Sequence, residues 1–189
     1  LWWQKEKKCL TCHTHVAYLS TGAGYASKRP AFEAVRKFTE DMVSVRWEEP
    51  KGPRYPADVL IAAQGLAISD AETTGKLHPL TRRALDRMWT LQRPDGGWKW
   101  EKCDWAPLES DDHYGVTVAI LAAVRAPENY AETPAAQEGL KKARLYLKNN
   151  PPTMLHHRAM LLWVSKYADD IVCEADKERT LTDLLELQR

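Results

Sequence analysis

Met88-Trp89-Thr90-Leu91-Gln92-Arg93-Pro94-Asp95-Gly96-Gly97-Trp98 is the stretch whose reading decides the fold. It leaves a helical pattern at Gln92, turns through Pro-Asp-Gly-Gly and ends on an indole. A glutamine closing a helix, two glycines that permit positive φ and a tryptophan stacking back predict a structural helix stop. Leu91-Gln92-Arg93 returns as Leu187-Gln188-Arg189, 96 residues on, or two units of 48. Intervals of about 40 to 50 residues are those of two-helix repeats.

Outward from that turn, helical spacing recurs and period-two alternation is almost absent, which predicts an all-α chain. Helices are expected at about Ala31–Trp47, Ala57–Ser69, Pro79–Gln92, Asp112–Val124, Thr133–Lys148, Met154–Tyr167 and Ala175–Gln188. Pro-rich or Gly-rich breaks separate them, such as Glu49-Pro50-Lys51-Gly52-Pro53 and Asn149-Asn150-Pro151-Pro152. Ala57–Ser69, Asp112–Val124 and Met154–Ser165 are apolar nearly all round, as helices with protein on both sides must be. Thr81–Gln92, Ala135–Leu147 and Glu178–Gln188 each keep a charged face for solvent. Strict alternation of buried and half-exposed helices predicts a double ring or a helical-hairpin array.

Gln92 to Trp98 reads Q-x-x-x-G-x-W, and on it the chain resembles the squalene-hopene cyclase and prenyltransferase superfamily, with Gln188 opening a second copy. The resemblance covers roughly Tyr55 to Arg189. It implies an α/α-toroid, here a partial ring of about four hairpins with inner and outer helices. Residues 1–189 would then form one toroid domain, incomplete at both ends, with residues 1–20 as a distinct motif-bearing segment. Cyclases of this family open an inner helix with D-x-D-D-T, and this chain has Glu109-Ser110-Asp111-Asp112-His113. The resemblance implies Asp111 as the acid that protonates an alkene, tuned by Asp112 and His113, with Glu109 in the first position. Glutamate replaces the family's first aspartate and histidine its threonine. Ser110-Asp111-Asp112 also reads as an ordinary N-cap and first turn. A terpene cyclase or prenyltransferase-like enzyme on an isoprenoid substrate is thus one expectation. A non-catalytic binding scaffold is another, because one barrel serves many functions.

Cys9-Leu10-Thr11-Cys12-His13 spells C-x-x-C-H, the spacing at which two thiols bond to haem vinyl groups while histidine takes the iron. The same residues also suit zinc or thiol chemistry. In a ring of antiparallel hairpins every inner helix points the same way, so their N-termini share one rim. Those N-termini fall near Cys9–His13, Tyr55–Asp58, Asp111–Tyr114 and Met154–His157, and three of the four carry histidine. The expectation is a haem c held by Cys9, Cys12 and His13. His156, His157, His113, His15 or Met154 would supply a second ligand. Electron transfer with a redox partner, or ligand sensing, follows from that reading, and so does an extracytoplasmic location. Zinc is the alternative cofactor. His78, before Pro79, reads as a capping or surface residue. Cys103 and Cys173 read either as a disulfide or as two buried free thiols. Most tryptophans read as packing residues, with Trp100, Trp105 and Trp163 as candidates for lining an isoprenoid pocket.

Composition sets the outer bounds. The 189 residues, 44% hydrophobic and 28% charged, suffice for one substantial core. The 27 Lys and Arg against 26 Asp and Glu leave no basic field to collect nucleic acid or anionic lipid. The longest apolar run, Val116 to Val124, is far too short to cross a bilayer. No stretch resembles a secretory leader.

Overall fold

Proline opens several of the helices. Its fixed φ suits the first turn, and its missing N–H removes a donor that would have no partner there. A computed structural model describes residues 6, 10, 14–15, 17–26, 28–48, 52, 54–100 and 112–188, and these contain eight α-helices and no strand. They are α1 (Ala17–Ala26), α2 (Pro30–Ser44), α3 (Tyr55–Thr73), α4 (Pro79–Thr90), α5 (Asp112–Arg125), α6 (Pro134–Asn149), α7 (Leu155–Ser165) and α8 (Glu174–Glu186). α2, α3, α4 and α6 carry proline in the first turn. His78 caps α4, its Nδ1 accepting from the Leu80 amide at 3.3 Å. Thr133 caps α6 by accepting from the Ala136 amide.

The helices fall into two series. α1 packs on α3, α3 on α5 and α5 on α7, while α2 contacts α4 and α4 contacts α6. Each even-numbered helix also lies against the odd-numbered helix before it. The apolar sequences of α3 and α5 have the burial they require: Val59 to Asp70 and Gly115 to Ala123 are unbroken runs of buried residues. Leu60, Leu66, Val116, Ile120 and Leu121 are inaccessible to solvent. Each such side chain contributes about 1.5–3 kcal/mol. α4 and α6 bury one stripe and leave Arg82, Asp86, Lys141 and Lys142 in solvent. None of these helices is long and apolar enough to cross a membrane.

The Gln92–Trp98 turn is a knot of specific bonds. Gln92 donates from Nε2 to the carbonyls of Gly96 (3.0 Å) and of Gly139 in α6 (2.9 Å). Trp98 is buried, donates from Nε1 to the Met88 carbonyl at 2.8 Å and lies 5.8 Å from the Trp89 ring. Of the two glycines only Gly96 takes positive φ, +91°. Gly97 is needed for space instead, since a Cβ there would meet the Arg93 guanidinium at 2.7 Å and Tyr146 at 2.8 Å.

Two expectations are corrected here. Cys173 is exposed, with a free thiol donating to Asp176 at 3.2 Å, and is not buried; Cys103 lies outside the described residues. Trp100 packs in the core, edge-on to Tyr114 at 5.3 Å and over Gly115, rather than lining an open pocket. Trp163 is half-buried, and Trp105 lies outside the described residues.

Candidate functional site

α5 and α7 are joined through the intervening α6, so their first turns lie at the same end of the molecule. Asp112-His113 opens α5, and Leu155-His156-His157 opens α7 after the Pro151-Pro152 break. The three imidazoles meet. His113 stacks on His157 with ring centroids 4.6 Å apart and planes 21° from parallel. His156 stands edge-on to His157 at 4.1 Å. His157 and His113 are buried, at 1% and 6% exposure. His156 is half-buried, and its Nε2 is shielded from solvent with no hydrogen-bond partner among the described residues.

Stacking limits what this cluster can ligate. Imidazole lone pairs lie in the ring plane, so two nearly parallel rings aim theirs side by side instead of at a common centre. Among the described residues no group of three or more His, Cys, Asp or Glu side chains is arranged to hold a metal ion. A structural zinc takes four ligands; a zinc here would have to draw part of its set from outside the described residues, where Cys9, Cys12, His13, Cys103, Glu109 and Asp111 lie. A haem iron asks the rest of the chain for one nitrogen only. The shielded Nε2 of His156 fits that demand.

The other sequence-derived candidates take no part in these ring contacts among the described residues. His15 is buried beside α1 and stacks on Phe38 of α2 at 6.0 Å, where burial pushes its imidazole below the usual histidine range. Met154 precedes α7 and is 38% exposed. Glu109 and Asp111 lie outside the described residues. The carboxylate of Asp112 is committed to the helix stop. One oxygen accepts from the Trp100 amide at 3.0 Å, and the other pairs with the Arg93 guanidinium. Arg93 also clamps Asp95, which holds that carboxyl below its ordinary range. Asp112 therefore ties the turn to the start of α5, next to the imidazoles.

Arg93 itself escapes a reading based on ligand-type residues. The signal was present, because arginine follows the glutamine in both copies, as Arg93 and Arg189. A second polar centre joins α2, α3 and α4, where the buried Asp70 accepts from Arg36 at 2.6 Å and from the His78 amide at 2.8 Å.

Compared with known protein families, curated proteins and solved structures, the chain has no match.

Proposed function

We propose that the chain is a squalene-cyclase-like α/α-toroid scaffold carrying a covalently attached c-type haem, for electron transfer or ligand sensing outside the cytoplasm. The toroid reading is supported by the two helix series, with α3 and α5 buried, α4 and α6 half-exposed, and each hairpin packing on the next. The haem reading starts from Cys9-Leu10-Thr11-Cys12-His13. One observation carries it further: three imidazoles gather at the shared end of α5 and α7, one with a shielded nitrogen lacking a partner among the described residues. Cys9 and Cys12 would hold the group, His13 would take one face of the iron, and His156 is the nitrogen suited to the other. When bound, the group supplies a one-electron couple, or a ligand site if one face is open. The chain's own part is to shield that end from water with the α5 and α7 core.

The test is expression in a host that attaches haem to such motifs, followed by an absorbance spectrum and acid-acetone extraction. A Soret band that stays with the polypeptide, and is lost in Cys9→Ser with Cys12→Ser, is the expected result. A colourless, folded protein from that host overturns the assignment.

A further inference from the structure

The exposed face of α8 is the counterpart of a buried face of α4. A shift of 96 residues superposes Leu85, Met88, Trp89 and Gln92 on Leu181, Leu184, Leu185 and Gln188. In α4 these positions are buried or reach the following hairpin. Leu85 and Met88 are fully buried, the Trp89 ring fills the space over Gly139 of α6, and Gln92 donates to the Gly139 carbonyl. In α8 three of the four positions are open, Leu181 being 53% exposed, Leu185 57% and Gln188 exposed, while Leu184 is half-buried. Thr180 is buried as its counterpart Ala84 is, and α8 packs on α7 as α4 packs on α3. The inner layer shows the same asymmetry. α3 and α5 are buried along nearly their whole length, whereas Ala159, Leu162 and Trp163 of α7 are only half-buried. Where arrays of stacked hairpins end, the outer face is normally polar; this one is a leucine stripe.

We propose that the α7–α8 face receives one further helical hairpin built like α5–α6. An apolar helix would lie on α7. An amphipathic helix would cross α8, with glycine or alanine beneath Leu185 and a backbone carbonyl accepting from the Gln188 amide. The occupant's chemistry follows from the α4–α6 crossing, of which this face is the repeat, and does not depend on the haem.

The experiment joins residues 94–150, the chain's own turn and α5–α6 hairpin, after Arg189 of the full chain, and compares the extended and parent proteins. Hydrogen exchange of the α8 amides is expected to slow by about tenfold or more on extension. Leu185→Glu is expected to leave the melting temperature of the parent unchanged and to lower that of the extended protein, and Gln188→Ala to do so more mildly. Unchanged α8 exchange together with a neutral Leu185→Glu in the extended protein overturns the proposal. So does a parent that sediments as a dimer with its α8 amides already protected, because a second copy would then be the occupant.

Discussion

At the scale of single residues, a missing side chain decides where two helices cross. A Cβ on Gly139 would come within 2.2 Å of the Trp89 ring, and that ring is held in place because its Nε1 donates to the Tyr130 hydroxyl at 3.1 Å. The indole cannot retreat without giving up that bond. Gly139→Leu is therefore expected to cost about 1–3 kcal/mol by overpacking, seen as a fall in melting temperature of about 2–4 °C per kcal/mol. Gly24 lies inside α1 with nothing within 4 Å of an added Cβ, so Gly24→Ala should be neutral or stabilising by about 0.4–1 kcal/mol. A Gly139→Leu melt matching that of Gly24→Ala would refute the crossing. His15 makes a pH prediction. Burial lowers its proton affinity in the folded state, so the unfolded chain binds the proton more tightly. Stability from this group is present above the unfolded pKa of about 6.5 and is lost as pH falls below it. His15→Phe, which keeps a ring against Phe38, should lose less melting temperature than the parent between about pH 7 and pH 5. Equal losses would show that His15 contributes nothing to the acid limb.

Between helices, polar side chains do the joining, and here the sequence was least legible. Asp70, near the end of α3, is 1% exposed and receives the Arg36 guanidinium and the His78 amide. Asp70→Ala removes the acceptor of Arg36 Nη2 and of the His78 amide, while Glu40 and Ser69 still hold the rest of the guanidinium, and should cost about 1–3 kcal/mol. Chemical denaturation measures it, and a loss below about 1 kcal/mol would mean that solvent replaces the carboxylate freely. A periodicity reading counts such an aspartate as solvent-facing, which is why Ala57–Ser69 was expected where the helix runs from Tyr55 to Thr73. The other expected helices are present within a few residues, because their apolar runs and proline starts are local signals. Ala17–Ala26 was legible only as a vague inner-helix start near the cysteine motif. Its glycines at 22 and 24 weaken the helical pattern, and its burial depends on α2 and α3, which no local window contains. The tie from Arg93 to Asp112 spans the turn between α4 and α5 and left no mark beyond an arginine following each glutamine.

Over the whole molecule, antiparallel connection places the starts of alternate helices at one end, and from that rule alone His113 and the His156-His157 pair could be expected to be neighbours. What the rule could not supply is ring orientation. His113 and His157 face each other at 4.6 Å and so present their nitrogens side by side, while His156 stands edge-on with Nε2 shielded from solvent and without a hydrogen-bond partner among the described residues. The three histidines are therefore unequal, and the proposed haem should report the inequality. In the haem-loaded chain, His156→Ala should convert a low-spin, six-coordinate spectrum to a high-spin one while the Soret band survives acid-acetone extraction. His113→Ala removes the ring stacked on His157 and should leave the spin state unchanged, with the lost ring contact lowering stability by about 0.5–1.5 kcal/mol. Electron paramagnetic resonance separates the two outcomes. A low-spin signal that persists in His156→Ala and disappears in His157→Ala or His113→Ala would move the ligand into the stacked pair and require that pair to open. Retention of the signal in all three variants would place the sixth ligand elsewhere, with His15 and Met154 the next side chains to replace.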